Sequence, residues 1–425
     1  MLETLARLSR GGDPLWYARG FIISMVSRIE DVNAGIQLVA RVFGHPAIPV
    51  IPLFENGRAL RDSAGIVRAL LARRGYREAM RRKLGGQVEV MLGYSDSAKE
   101  MGVLASRLAI AGAVADLDAI IAREHLRPVF FHGSGGSVDR GGGSIDEQTS
   151  WWPRSALTLY KATVQGEMVE RTFASPEILS VQLERIARRV AEGVSAPAPV
   201  PVPSPALKRL ARRASRAYRG LLSDPRLLDL IEEATVYPYL DLLKIGSRPT
   251  RRKPESSVSA LRAIPWVLCW TQARLLLPTW WGIGQAWHET LPDERLELVR
   301  ELQSNDLFRS FVKALGFTLA KVELPVFEIQ AQRWLTHGKS EEVAERRLLL
   351  DSLAREYGLA REFVHTVSGN RSLLWFRPWL ETSIRLRSPM IHPLNLLQVL
   401  AMEERDPRLM RETVTGISCG MMTTG

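Results

Sequence analysis

Three apolar, strand-like runs of this chain each end beside a side chain that can do chemistry. The first run is followed by Glu55, the second by Asp96, and the third ends in His132. Parallel strands joined by crossover helices bring their C-terminal ends to one edge, so we expect the three side chains to converge there. Two carboxylates with open positions beside them suit a hard divalent cation such as Mg²⁺ or Mn²⁺. For any one of these residues alone, a helix cap or a paired polar strand end is the alternative interpretation.

A glycine-rich loop follows His132 and carries Arg140. Glycines such as Gly135 and Gly136 remove side-chain bulk and allow positive φ, so the backbone of such a loop can close on an anion. Linkers and turns are also rich in glycine, and the loop alone would be a weak signal. Its position at the end of the third strand makes it a candidate anion-binding loop.

Hydrophobic periodicity divides the chain into an α/β part and a mostly helical part. A segment rich in Ala, Pro and Val, 196–205, is predicted to be an extended linker between two helical stretches. The predicted strands are 21–25, 48–54, 88–93, 127–131 and, more weakly, 157–163. The predicted helices are 31–42, 63–73 and 98–124 in the first part, then 206–222, 292–303, 307–324, 340–356 and 395–403.

The composition is that of an ordinary globular protein, with 46% hydrophobic and 24% charged residues. No apolar run reaches membrane-span length, and the N-terminus lacks a secretory pattern. The two cysteines, Cys269 and Cys419, lie in apolar surroundings and are predicted to be buried free thiols in a reducing, cytoplasmic setting. The tryptophan-rich stretches at 151–152, 266–270 and 280–281 are predicted to be core side chains rather than a ligand cage.

The net charge of +11, from 57 basic and 46 acidic residues, raises the question of nucleic-acid binding. The basic residues cluster, for example at Arg81 to Lys83 and at Arg251 to Lys253. We interpret most of these clusters as solvated helix faces and do not expect a nucleic-acid partner. An anionic substrate would also benefit from a positive field.

Several motifs resemble the C-terminal half of phosphoenolpyruvate carboxylase, in order and over essentially the whole chain. The family's proteins are about twice as long, so the resemblance implies that the first half of the enzyme is missing. The matching segments are Phe21 to Met25, Pro52 to Glu55, Gly93-Tyr94-Ser95-Asp96-Ser97-Ala98-Lys99, Phe131 to Gly142, Gln165 to Met168, Gly246-Ser247-Arg248-Pro249, Leu261 to Trp266 with Trp270 to Gln272 and Arg274, Ser383 to Arg387, His392 to Asn395, and Thr424-Gly425.

The resemblance implies roles for individual residues. Glu55 and Asp96 match the family's metal-binding carboxylates. The implied catalytic residues are His132, Lys99 and Arg140, the implied substrate or anion sites are Arg248, Arg262, Gly135 and Gly136, and the implied site for the inhibitor aspartate comprises Lys321, Arg387, Arg140 and the position of Thr423.

Three departures from the family pattern matter. Ser134 stands where the family loop has an active-site arginine, and Thr423 stands where the family has an asparagine of the aspartate site. The family's catalytic histidine belongs to a first-half motif that neither His45-Pro46 nor His392-Pro393 matches. We therefore expect weak activity from the chain alone, and weak inhibition by aspartate.

The predicted fold class is α/β, with a partial (β/α) TIM-type barrel, the C-terminal half of the barrel, followed by a large, mostly α-helical region. Residues 1–175 are predicted to hold the barrel strands, the metal site and the glycine-rich loop, and residues 176–425 the helical region with the anion and allosteric sites. A closed barrel needs eight strands, whereas four or five are predicted here. Either a second chain supplies the others, or the sequence is truncated, or the fold has decayed.

Two functions remain open at this point. The first is a phosphoenolpyruvate carboxylase that joins bicarbonate to phosphoenolpyruvate, with Mg²⁺ or Mn²⁺, an N-terminal-half polypeptide as partner and assembly into a homo-oligomer. The second is a catalytically impaired paralogue or fragment that binds an anion or a partner. Glu55, Asp96, Lys99, His132 and Arg140 favour the first, and Ser134 and Thr423 favour the second.

Overall fold

The computed structural model describes residues 1–135, 145–157, 159, 161–164, 169, 173–195, 202–242, 261–336 and 339–421, and within these ranges strands and helices alternate up to residue 162. The strands are β1 Phe21–Ile23, β2 Val50–Phe54, β3 Gln87–Gly93, β4 Arg127–Gly133 and β5 Lys161–Ala162. The helices of this part are α1 Leu2–Ser9, α2 Ile29–Phe43, α3 Gly57–Leu71, α4 Arg74–Lys83, α5 Ser95–Met101, α6 Val103–Arg123, α7 Ile145–Thr149 and α8 Arg154–Leu157.

From residue 176 onward the described residues form helices without strands. They are α9 Pro176–Ser195, α10 Pro205–Leu222, α11 Pro225–Ala234, α12 Ala263–Gln272, α13 Leu277–Trp280, α14 Ile283–His288, α15 Pro292–Ser304, α16 Asp306–Leu319, α17 Leu324–Thr336, α18 Ser340–Ser368, α19 Pro378–Glu403 and α20 Pro407–Met421. None of the helices in the described ranges is both long and apolar enough to cross a membrane.

The five strands form one sheet in the order β1-β2-β3-β4-β5, and every neighbouring pair is parallel. This confirms the predicted α/β class, because each parallel connection needs a crossover and the helices supply it. In the described part of the chain the sheet is open, with β1 and β5 at its edges, so no closed barrel is present. That these strands are half of a barrel stays a prediction.

The two faces of the sheet differ in what covers them. In β3 every second residue is buried, and Val88, Val90 and Leu92 pack with the helices in one core cluster. The register pairs Val90 with Phe130 and Leu92 with His132, so these side chains share the helix-covered face. Glu89, Met91 and Gly93 lie on the other face, where they remain partly exposed.

The helical part surrounds a second and larger core cluster, to which α6 also contributes Val103 and Leu104. Trp266, Trp270 and Trp280 are each less than 2% exposed, and Trp151 and Trp152 are buried at 5% in the sheet core. The prediction that these tryptophans form core is therefore confirmed, although Trp281 is only partly buried. The domain boundary predicted at residue 175 stays a prediction.

Several predicted helix boundaries were wrong. The single helix predicted over 98–124 is two, because Gly102 takes a φ of 82° and separates α5 from α6. The helix predicted over 307–324 ends at Leu319, and α17 begins at Leu324. The helix predicted over 395–403 begins at Pro378 and continues through Pro389 and Pro393.

The prediction for the cysteines was half right. Cys269 is buried, whereas Cys419 is exposed. The buried neighbours of Cys419 on α20 include Ile417 and Met421, which lie one helical turn apart and define the core-facing side. Cys419 lies midway between them in sequence, and the helical period therefore turns it toward solvent.

Helices α14 and α18 pack against each other, and one glycine on each helix gives a matched test of how closely they approach. A Cβ on Gly284 would lie 2.6 Å from the carbonyl oxygen of Glu356, whereas a Cβ on Gly358 would meet nothing within 4 Å. We expect Gly284→Ala to lower the free energy of unfolding by about 1–3 kcal/mol through overpacking. Gly358→Ala should instead raise it by about 0.5–1 kcal/mol through helix propensity. Urea denaturation of the two variants checks this, and equal effects would contradict the close contact.

Candidate active site

Glu55 follows β2 directly and is 8% exposed. The register places Phe54 beside Leu92, so Glu55 falls beside Gly93 at the end of β3. A Cβ on Gly93 would lie 2.4 Å from the Glu55 Cβ, and only glycine leaves room for this approach. Oε1 of Glu55 accepts a 2.8 Å hydrogen bond from the backbone N–H of Met25, which takes a φ of 60°. The carboxylate is therefore oriented from two neighbouring strand ends.

Asp96 lies in the first turn of α5, which begins just after β3. The turn is fixed by Ser97, whose hydroxyl bonds to the carbonyl of Gly93 at 2.8 Å and to the hydroxyl of Ser106 at 2.6 Å. Because β2 and β3 are parallel neighbours, Glu55 and Asp96 belong to the same edge of the sheet. Their joint role as metal ligands stays a prediction.

The donor set at this edge is small. Among the residues that the structure describes, no group of three or more His, Cys, Asp or Glu side chains is gathered in one place. Two carboxylates fit Mg²⁺ or Mn²⁺ better than zinc, because hard cations are often held by one or two carboxylates while waters and substrate oxygens fill the other positions. Glu55, already buried and oriented, is the better formed of the two candidate ligands.

Lys99 and Arg262 are brought together although they lie far apart in sequence. The Lys99 ammonium on α5 donates to the carbonyl oxygen of Leu261. The next residue, Arg262, precedes α12, and its Nε is buried without a hydrogen-bond partner in the described part of the chain. A lysine and an arginine in this arrangement can hold the oxygens of an anion.

His132 lies on the helix-covered face of the sheet. Glu55 lies level with Gly93, whose position belongs to the opposite face. The His132 ring is fully buried and stacks on Trp152, with centroids 3.8 Å apart and planes at 10°. Nδ1 shares a 2.7 Å hydrogen bond with the hydroxyl of Tyr94. Burial lowers the pKa of His132 to about 3, so the ring is neutral at physiological pH. The sequence predicted convergence at one edge, and the structure adds that the histidine faces away from the carboxylate.

The glycine-rich loop is described only at its start. Gly135 has a φ of 65°, and its N–H donates to the Thr163 hydroxyl at 2.8 Å. Ser134 is 2% exposed, and its hydroxyl has no hydrogen-bond partner within the described ranges. Of the predicted site residues, Gly136, Arg140, Arg248 and Thr423 lie outside the described residues.

The two described residues of the predicted aspartate site are linked through the core. Lys321 is 3% exposed, and its Nζ lies 4.2 Å from the ring centroid of Phe317. Arg387 donates to the carbonyl of Gly420 on α20 at 2.8 Å, and burial lowers the pKa of Arg387. Between them, the buried Arg274 donates to the carbonyl of Lys321 at 3.5 Å and to the hydroxyl of Ser388 at 2.6 Å.

Sequence reasoning missed three side chains that shape the site. Tyr94 belongs to the motif from Gly93 to Lys99, but only the three-dimensional structure shows its hydrogen bond to His132. Trp152 was predicted to be core and is also the stacking partner of that ring. Arg107 carried no sequence signal, and it is buried on α6 with Nη1 3.2 Å from the Ser310 hydroxyl.

The fold and these strand ends define an α/β protein with a carboxylate-bearing edge and nearby cationic side chains. A family model described as phosphoenolpyruvate carboxylase matches residues 2–425. The chain belongs to the phosphoenolpyruvate carboxylase family, and the resemblance inferred from the motifs is confirmed.

Individual relatives agree with this assignment. The phosphoenolpyruvate carboxylase of Xanthomonas campestris pv. campestris (strain 8004) is 33% identical over 442 residues, covering 99% of this chain and 48% of the relative. That of Tolumonas auensis is 33% identical over 424 residues, covering 95% and 47%. The chain therefore spans about half the length of the curated relatives it matches.

The buried imidazole predicts a pH-dependent stability. A histidine with a pKa of 6.5 when unfolded and about 3 when folded resists protonation in the native state. Its contribution is fully present above pH 6.5 and is lost as the pH falls toward 3, by a few kcal/mol in all. His132→Asn should flatten the pH dependence of the unfolding free energy across this range, relative to wild type.

The exposed His45 provides the control for this measurement. His45→Asn should leave the pH profile of stability unchanged, because the His45 side chain is already exposed to solvent in the folded protein. Urea titrations at a series of pH values measure all three proteins. A wild-type slope in His132→Asn would show that the buried ring is not the source.

Proposed function

We propose that this chain acts as the second half of a phosphoenolpyruvate carboxylase in the cytoplasm. The single observation that supports this most strongly is the edge of the sheet at which Glu55 packs on Gly93 and Asp96 begins the next helix. The proposed reaction joins bicarbonate to phosphoenolpyruvate and yields oxaloacetate and phosphate, which is anaplerotic carbon fixation.

The proposed chemistry has two steps. Bicarbonate attacks the phosphorus of phosphoenolpyruvate and breaks its bond to the enol oxygen, giving carboxyphosphate and the enolate of pyruvate. Carboxyphosphate then releases CO₂ and phosphate, and the enolate carbon captures the CO₂. Negative charge grows on the enolate and phosphate oxygens in the transition state, so preorganised cations beside these oxygens would lower the activation barrier most strongly. Lys99 and Arg262 are the described candidates for that part, and Arg140 and Arg248 are candidates from the resemblance.

Glu55 and Asp96 are the proposed ligands of Mg²⁺ or Mn²⁺. When bound, such an ion supplies Lewis-acid stabilisation of negative charge on substrate oxygens. The hydrogen bond from Met25 holds the Glu55 carboxylate in one orientation before any ligand arrives. Preorganisation of this kind removes a reorganisation cost from the reaction.

His132 is proposed to position the loop rather than to carry a proton. A ring whose burial holds its pKa near 3 is a weak base at neutral pH. Its stacking on Trp152 and its bond to Tyr94 hold the end of β4, from which the glycine-rich loop departs. The loop glycines Gly135 and Gly136 are proposed to close on the anionic substrate and exclude water.

An N-terminal-half polypeptide is the proposed partner. The face of the sheet that carries Glu89 and Met91 is partly exposed, and a cavity of about 500 Å³ lies between Ile51, Glu89 and Lys161. An exposed face of a parallel sheet is rare, because such sheets are usually covered on both faces. The edge strands of such a sheet also present unpaired backbone groups on which further strands can pair. A chain that supplied further strands would cover these surfaces, and the assembled enzyme is proposed to form a homo-oligomer.

A second candidate function is an impaired paralogue or fragment that binds an anion or a partner without turnover. Ser134 favours it, because the serine is buried where the family has an active-site arginine. Losing one charged anion clamp costs roughly two to three powers of ten in rate. The two candidates differ in turnover but share the carboxylate edge.

Metal binding by the full chain tests the carboxylate edge directly. We expect Glu55→Gln and Asp96→Asn each to weaken Mn²⁺ binding by about tenfold or more, because each removes one of two charged ligands. Asp62→Asn is the matched control, since Asp62 is a solvent-exposed carboxylate paired with Arg58 on α3. Titration with Mn²⁺ followed by electron paramagnetic resonance gives the affinities. Equal Mn²⁺ affinities of the Glu55→Gln and Asp62→Asn variants would show that Glu55 is not a metal ligand.

Carboxylase assays separate the two candidate functions. The chain alone, given phosphoenolpyruvate, bicarbonate and Mg²⁺, should form little or no oxaloacetate, because the family's first-half histidine is missing. Co-purification with a first-half polypeptide of a family member should restore measurable turnover if the chain is an enzyme half. A stable complex that stays inactive would favour the impaired paralogue, and family-like turnover by the chain alone would contradict the need for a partner.

A further inference from the structure

Ser134 opens a small buried chamber behind the start of the glycine-rich loop. The serine is 2% exposed, and its Oγ lacks a hydrogen-bond partner among the described residues. A buried hydroxyl without a partner is costly, so a ligand or water that pairs with it is favoured. The chamber measures about 20 Å³, which is enough for one water molecule or one ligand oxygen.

The wall of this chamber carries a buried cation. Arg107 of α6 lines it together with Tyr94, Ser134 and Glu147. The Arg107 side chain is 5% exposed and donates to the Ser310 hydroxyl at 3.2 Å. Burial lowers the pKa of Arg107 to about 10, and the nearby Tyr94 and Glu147 oppose that shift, so the guanidinium stays charged at neutral pH.

The chamber adjoins a larger polar cleft. Glu147 and Ser310 line both the chamber and the cleft, which has a volume of about 340 Å³. Four cationic side chains line the cleft, namely Arg188, Arg189, Arg309 and Lys313. Its three carboxylates are Asp146, Glu147 and Asp306, and each is already paired with an arginine, at 3.2, 3.4 and 2.5 Å respectively. Because Arg188 and Arg309 are two of these partners, the cleft lining carries four positive charges against three negative ones. Arg107 in the chamber adds a fifth positive charge, so the net charge of the combined space favours an anion over a cation.

We propose that the chamber and the cleft together form an oxyanion-binding site, in which Arg107 supplies a buried cation and the Ser134 hydroxyl donates a hydrogen bond. The ligand class is a small phosphate or carboxylate that enters the cleft and inserts one oxygen into the chamber. An arginine at position 134 would fill the chamber, so the site depends on the serine that distinguishes this chain from its family. The proposal goes beyond the carboxylase reaction and does not depend on it.

Phosphate binding by the full-length chain tests the site without any turnover measurement. Inorganic phosphate should raise the unfolding midpoint in a saturable way, beyond NaCl of equal ionic strength, because it binds only the folded state. Arg107→Gln should weaken phosphate binding by about tenfold or more, and Arg107→Lys, which keeps the charge, should weaken it less. Arg58→Gln is the control, because Arg58 is an exposed arginine in the first turn of α3 and lines neither the chamber nor the cleft. Bicarbonate and acetate, titrated in the same way, identify the preferred oxyanion.

A double-mutant cycle that moves the arginine from position 107 to position 134 tests the proposal even if Arg107→Gln does not fold. Ser134→Arg should abolish the phosphate response and lower stability, because it forces a second guanidinium into a chamber sized for one oxygen. The double variant Arg107→Ser with Ser134→Arg should recover much of that stability, giving a clearly non-additive cycle. Phosphate binding by Arg107→Gln equal to wild type, no phosphate response in wild type, or Ser134→Arg as stable as wild type would each overturn the proposal.

Discussion

The contact between Glu55 and Gly93 is the constraint on which the rest of the candidate site depends. A Cβ added to Gly93 would lie 2.4 Å from the Glu55 Cβ, so these two strand ends can approach each other this closely only because residue 93 is glycine. The same strand end then turns into α5, which carries Asp96 and Lys99. A single missing side chain therefore sets the position of one carboxylate and of the helix that bears the other polar groups.

The side of the sheet on which a residue falls decides its chemistry here. Glu55 lies on the partly exposed face, whereas His132 points into the helix-covered core, where burial keeps the ring neutral and Trp152 and Tyr94 contact it. Adjacent strand ends thus present two environments within one edge. One carries the candidate metal ligand Glu55, and the other holds the fully buried ring of His132 near the end of β4.

Much of the strand framework could be predicted from the sequence, and the reasons are local. Apolar runs followed by polar residues indicated β2, β3 and β4, and the structure has all three within a few residues of the prediction. The face of His132 needed the register with Leu92, which no single run contains. The contact between Lys99 and Leu261 spans 162 positions, so nothing local could indicate it. The exposure of Cys419, by contrast, follows from the helical period and could have been predicted.

The short helix α12 joins the two regions that the family resemblance treats as separate sites. At its N-terminal end, Leu261 accepts the bond from Lys99. At its C-terminal end, the Gln272 amide donates to Ser418 on α20, and its carbonyl accepts from Asn395 on α19. Ten residues of α-helix form a stiff rod about 15 Å long. A shift of α19 or α20 that tilted this rod would therefore also displace the Leu261 carbonyl that Lys99 contacts.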